Sequence, residues 1–332
     1  MKRMILFSLL AMMLLPACQR RDLLVSTNVA DLHLIVLDTL GVGKVPSGDM
    51  YEMRIYGADD GIYRSSSFVP PAGGEVNLPR GIYDIVIHRF DNPTIIIDGV
   101  GEYPTLHAYT NNVSGNTKRY FNSLVNAVMT KAPAVFDETS ADELEEFANG
   151  DVAWEPDWFF VATHPSLDVP LRDVDAPLVT IYENAMPMVF PCRLTVRGVT
   201  GKKHIAAVNA FLTGISRGVY LANGESDHDA VTTTFGLHIG EEGAPMLGDF
   251  RIFGFVPGVK NLLFLTITDT AGGSYVATFD VTEQCKNSKK GLNVVINVEI
   301  VLDFDVPKPE EAGGGFAPSV EDWNEIVYRI DL

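Results

Sequence analysis

The chain has 332 residues, 46% of them hydrophobic and 20% charged, with 25 Lys and Arg against 43 Asp and Glu for a net charge of -18. At roughly 100–200 residues per domain this is enough for about two domains with cores of their own, and it is too apolar for a disordered chain. The acidity argues against a nucleic-acid partner, whose phosphates need Lys and Arg, and three Cys are too few for a disulfide scaffold or a Cys-rich zinc module.

Lys2 and Arg3 precede an apolar run from Met4 to Leu15, followed by Pro16-Ala17-Cys18. A short basic stretch and a short apolar run read as a secretory signal, since a membrane span needs about 20 residues. A small residue just before a cysteine resembles the bacterial lipobox, which implies a signal peptide over 1–17, lipidation of Cys18 and a lipidated linker over 18–30. The expected mature chain has lost Lys2 and Arg3 and carries a net charge of -20. Its expected partner is the outer membrane, reached through acyl chains such as palmitate on Cys18, with the surface or periplasmic face left open.

The body reads as strands. Period-2 runs occur at Leu32–Leu37, Tyr51–Tyr56, Ile82–His88, Arg193–Val196, Phe250–Val256, Leu262–Thr268, Tyr275–Val281 and, longest, Leu292–Phe304. Turn residues such as Asp59-Asp60-Gly61, Ala72-Gly73-Gly74 and Ala271-Gly272-Gly273 separate them. The spacing predicts an all-β fold of two β-sandwiches, one over 31–170 and one over 177–332. A short helical insertion interrupts the first near 118–150: Tyr120, Phe121, Leu124, Val125 and Val128 recur at helical spacing, and Ser140 with Glu143 has the form of a capping box ahead of Leu144, Phe147 and Gly150. Three prolines and three aspartates in His164–Pro177 predict the linker between the sandwiches. The alternation of Ile326, Tyr328, Ile330 and Leu332 predicts a terminal strand.

Candidate chemistry is sparse. Gly41-Val42-Gly43-Lys44 lacks P-loop spacing, and there is neither a nucleophile elbow nor an H-E-x-x-H pair, so no catalytic residue, metal site or cofactor is assigned. Glu225-Ser226-Asp227-His228-Asp229 offers metal-type ligands within one short stretch and reads first as a solvated hairpin loop. Trp154 and Trp158 are candidate glycan-stacking residues, with core packing as the alternative. Cys192 and Cys285 are free to pair or to remain separate thiols.

Four features together are similar to the fimbrillin superfamily of Bacteroidetes, in particular to its lipoproteins related to fimbrillin-A-associated anchor subunits. They are the lipobox at Cys18 with a first strand soon after, Leu78-Pro79-Arg80-Gly81-Ile82-Tyr83-Asp84-Ile85-Val86, Glu155-Pro156-Asp157-Trp158-Phe159-Phe160, and the ending Gly314-Gly315-Phe316-Ala317-Pro318-Ser319-Val320-Glu321-Asp322-Trp323. The resemblance implies two tandem transthyretin-like sandwiches on a lipid anchor. It further implies a non-catalytic pilus anchor or accessory subunit, with pilin subunits as partners through strand-mediated contacts. In polymerising members an arginine in the early loop is cut, and no Arg occurs here between Arg21 and Arg54, which fits an unprocessed anchor. An outer-membrane glycan-binding lipoprotein is the alternative reading.

Overall fold

Strands form wherever alternate side chains can be buried. The computed structural model describes residues 28–36, 50–70, 73–90, 92–131, 141–170, 179–287, 295–308 and 327–328. In chain order the first strands are β1 (Asn28–Val36), β2 (Tyr51–Gly57), β3 (Tyr63–Val69), β4 (Gly74–Leu78), β5 (Gly81–Arg89), β6 (Ile95–Asp98) and β7 (His107–Thr110). Helices α1 (Gly115–Lys131) and α2 (Ala141–Asn149) follow, then β8 (Val152–Trp154), β9 (Phe160–Val169) and β10 (Val179–Pro187). The remainder comprises β11 (Phe190–Thr200), β12 (Ile205–Ser216), β13 (Gly218–Tyr220), β14 (Ala230–Gly236), β15 (Met246–Ile252), β16 (Leu262–Asp269), β17 (Ser274–Asp280), α3 (Thr282–Asn287), β18 (Ile296–Asp305) and β19 (Val327–Tyr328).

The first sheet has the order β3-β2-β5-β9-β10-β1-β4. β10 meets β9 only at Met186 and Pro187, so the sheet folds into two leaves, β3-β2-β5-β9 and β10-β1-β4. Met53, Ile55, Ile85, Ile87 and Phe160 from one leaf pack against Val76, Leu78, Ile181 and Ala185 from the other. Each of these side chains except that of Ala185 contributes about 1.5–3 kcal/mol on burial. The opposite face of β2, β5 and β9 is covered by a small sheet, β13-β7-β6, through Val86, Phe159, Val161, Leu106, Ala108, Val219 and Leu221.

The second sandwich faces a three-stranded sheet, β15-β11-β18, against a six-stranded one, β19-β17-β16-β12-β14-β8. Along β18 every second residue, Ile296, Val298, Ile300, Leu302 and Phe304, is buried and the intervening residues are exposed, as the alternation predicts. The sequence-predicted strands at Tyr51, Ile82, Arg193, Leu262 and Tyr275 all fall on observed strands. The one predicted over Phe250–Val256 lies earlier, at Met246–Ile252, because the chain turns at Gly254 (φ 150°), where a Cβ would sit 2.6 Å from the Ser226 hydroxyl. Of the predicted terminal strand only Val327 and Tyr328 are described, paired in parallel with Val276 and Ala277.

Three features depart from a simple succession of modules. The helices lie between β7 and β8 in the chain, yet Phe121, Leu124, Val125 and Val128 pack on Phe211, Leu262, Phe264 and Val276, the outer face of the second sandwich. Strand β8 joins β14 in that same sheet, whereas β13, from the second half of the chain, pairs with β7. The strand following residue 177, β10, belongs to the first sheet.

The linker expected over His164–Pro177 is corrected, since His164–Val169 completes β9 against β5. Pro165 is tolerated because the register slips there, so its missing N–H breaks no ladder bond. Ser166 takes φ 55° at that bulge and gives its N–H to the Asp84 carboxylate at 2.8 Å. Ser140, the expected cap of α2, lies outside the described residues. α1 is capped by Ser114, whose hydroxyl accepts the Thr117 N–H at 3.3 Å.

Candidate functional site

Cys18 lies outside the described residues; the first described strand begins at Asn28. Trp154 and Trp158 are placed apart in role. Trp154 stands half-exposed on the edge strand β8. Trp158 packs against both cores of the first sandwich, stacks on Phe160 with ring centroids 6.0 Å apart, and carries the Arg251 guanidinium over its ring. Arg251 also donates to the Pro156 carbonyl at 2.7 Å and pairs with Asp157, which fixes the Glu155–Trp158 segment across to β15.

The Glu225–Asp229 loop is a clamp between the two halves of the chain. Asp227 reaches back to His107 on β7, with the carboxylate 3.2 Å from Nε2 and both side chains largely buried. Ser216 donates its hydroxyl to the Asp227 carbonyl at 2.7 Å, and Asp227 N–H bonds the Gly218 carbonyl. Gly218 must be glycine, because a Cβ there would fall inside contact distance of the Ala108 carbonyl oxygen and the His107 ring. Burial pushes the His107 pKa down, against the opposing pull of Asp227 and Asp98. Among the described residues no three His, Cys, Asp or Glu side chains are grouped to hold a metal ion. Sequence reasoning found Asp227 but missed His107, since nothing local links positions 120 residues apart.

A second buried polar group spans β2 and β5. Arg54 donates Nε–H to His88 Nε2 at 3.2 Å and Nη2–H to Glu52 at 3.1 Å. Because Nε2 accepts, the imidazole proton sits on Nδ1 and is donated to the Arg89 carbonyl at 3.1 Å. Burial first, and Arg54 to a smaller extent, lower the His88 pKa to about 4 against the raising effects of the Arg89 carbonyl and Glu52. Cys192 and Cys285 are both buried in the second core as free thiols, with burial pushing the first well up and the second to about 12.

The surfaces able to engage another polypeptide are sheet edges. The outer face of β15-β11-β18 is laced with exposed ion pairs, Arg193 to Asp249 at 2.6 Å and Arg197 to Glu299, which are solvated and contribute little. The edge of β18 is different. Glu299 donates its N–H to Gln284 Oε1 of α3 at 2.9 Å, and its carbonyl accepts from Gln284 Nε2 at 3.1 Å. Gln284 thus mimics one residue of a neighbouring strand, and no strand lies beyond β18 among the described residues.

A family model described as a domain of unknown function, DUF5119, matches residues 17–236. The chain belongs to the DUF5119 family. The match covers the first sandwich, the helices and the first strands of the second; β15 to β18 of this DUF5119 protein complete the second core beyond it. A curated relative, the candidate fimbrium anchoring subunit Fim4B of Bacteroides ovatus, is 31% identical over 106 residues. That stretch is 32% of this chain and spans about a third (31%) of the relative's length. Two crystal structures of candidate adhesins from Bacteroides ovatus share the fold. One has a TM-score of 0.57 at 19% identity, covering 88% of this chain and 98% of its own. The other has a TM-score of 0.51 at 9% identity, covering 83% and 89%.

Proposed function

We propose that this protein is a non-catalytic lipoprotein of the cell envelope, held in the outer membrane by acyl chains on Cys18, and that it anchors or accompanies a fimbrium in adhesion. The stretch shared with the fimbrium anchoring relative carries the reading. The fold supports it, since two sandwiches with unpaired strand edges offer the backbone groups that strand-mediated contact with pilin subunits requires. Deleting the gene and counting fimbriae by electron microscopy tests the role. The expected result is loss of cell-attached fimbriae, recovered in the medium, with Cys18→Ala reproducing the loss while the chain itself becomes soluble. Unchanged fimbriation and adhesion in the deletion strain would refute it.

A glycan-binding role rests on Trp154 alone, whose indole is 49% exposed. Binding on a glycan array that Trp154→Ala abolishes would favour it, and an empty array would remove it.

A further inference from the structure

The chain enters the first sandwich at one end of its strands. Asn28 pairs with Leu78 where β1 begins. The same end carries the turn from Ala58 to Ile62, the Pro79-Arg80 turn and the Gly99–Glu102 turn, because Gly57 pairs with Tyr83, Gly81 with Val169 and Ile62 with Glu102. β10 starts at this end, opposite Ala30, and finishes beside the start of β9, from where β11 opens the second sandwich. The two sandwiches therefore lie with the chain's entry end pointing away from the second.

Four apolar side chains protrude from the entry end: Ile82 is 55% exposed, Ile62 48%, Val100 40% and Tyr63 38%. Backbone hydrogen bonds hold them in one patch, with Ala58 donating to the Ile82 carbonyl, Gly57 to that of Ile62 and Tyr63 to that of Gly101. Beside them lies an open cavity of about 580 Å³ lined in part by Arg64, Arg80, Ile82, Tyr83 and Ser166. Arg64 is committed to Asp60 at 2.7 Å and Asp59 at 3.5 Å. Arg80 has no ion-pair partner among the described residues, and exposed Glu102 and Asp168 stand on the same rim. Cations and carboxylates around an apolar patch match the phosphate and ammonium of a zwitterionic lipid headgroup.

We propose that this end of the first sandwich seats on the bilayer, with Ile62, Ile82, Val100 and Tyr63 at the boundary between headgroups and acyl chains and Arg80 at a lipid phosphate. The inference rests on the lipidation of Cys18. Nine residues lie between Cys18 and Asn28, ten steps of about 3.3–3.6 Å that reach at most ~36 Å, so the anchor keeps the entry end the nearest part of the body to the membrane. A Tyr that is partly exposed beside branched aliphatics, its ring edge-on to Tyr56, suits the interfacial layer. Seating fixes orientation: the second sandwich and the β18 edge then project outward, toward fimbrial subunits.

The test uses the acylated full-length chain in vesicles of phosphatidylethanolamine with a minor share of phosphatidylglycerol. Reporter cysteines at Ile62→Cys, Ile82→Cys and, on the second sandwich, Leu247→Cys are labelled with an environment-sensitive dye; Cys192 and Cys285 are buried. Quenchers attached to the lipid acyl chains should suppress the first two labels several-fold more than the third. Equal quenching at all three sites, with mass spectrometry showing acyl chains on Cys18, would overturn the seating and leave the anchor intact. A chain isolated from its native cells with no acyl group on Cys18, and not retained on the vesicles, would overturn both. Suppression at the tip that vanishes on dilution of protein in the bilayer, with cross-links between copies, would show a second copy on the patch and equally overturn it. A variant with Ile62, Ile82 and Val100 all changed to Ser keeps the fold, as all three are exposed, and should remain membrane-bound while energy transfer from Leu247→Cys to the bilayer surface shifts toward that of a freely tilting body.

Discussion

His88 makes stability depend on pH in a way that can be calculated. Its imidazole is neutral in the fold, with Nε2 accepting from Arg54 and a pKa of about 4, against about 6.5 in the unfolded chain. The folded value is depressed, so the unfolded state binds the proton more tightly. The neutral-ring contribution is present above pH 6.5 and is lost as pH falls toward 4. Linkage puts the cost at ~0.2 kcal/mol at pH 7 and ~1.4 kcal/mol at pH 5.5, a loss of ~1.2 kcal/mol between them. His88→Gln keeps an acceptor for Arg54 and cannot titrate. Urea unfolding of both proteins at the two pH values isolates the effect, since every other group titrates in each. The native protein should lose about 1 kcal/mol more than the variant on going to pH 5.5; parallel losses would show that His88 is already protonated in the fold, or exposed, and the reasoning would be wrong.

Phe121→Ala should destabilise the protein by ~3–5 kcal/mol, because its ring is fully buried between Phe211 and Phe264 and its loss opens a cavity under α1; thermal unfolding measures this. Gly218→Ala forces β13 away from β7 at a cost of ~1–3 kcal/mol, and hydrogen exchange should show faster amides at Gly218 and Val219. With burial raising the Cys285 pKa to about 12 and that of Cys192 well above the usual thiol value, neither thiol should react with iodoacetamide until the protein is unfolded. Rapid labelling of either in the native state would contradict their packing.

Local patterns were readable wherever one face of a strand is buried. The β18 alternation and the helical spacing of Phe121 to Val128 each need only a few neighbouring residues to declare themselves. The sequence also misled where a local signal had a tertiary answer. Pro165 reads as a linker residue, yet a bulge against β5 absorbs it within β9. The Glu225–Asp229 run reads as a loop with ligands, and its one inward carboxylate, that of Asp227, lies against the His107 ring.

Periodicity thus determined that the chain would be mostly strands with a helical interruption, because burying alternate side chains is a property of a short segment alone. Tertiary structure decided which sheet the helices cover, which strands exchange between the two halves, which edge Gln284 guards and which apolar side chains stand at the chain's entry. Those outcomes depend on pairings between residues from 15 to about a hundred positions apart, and the free energy of such contacts is set by the packed surfaces that meet, not by either segment on its own.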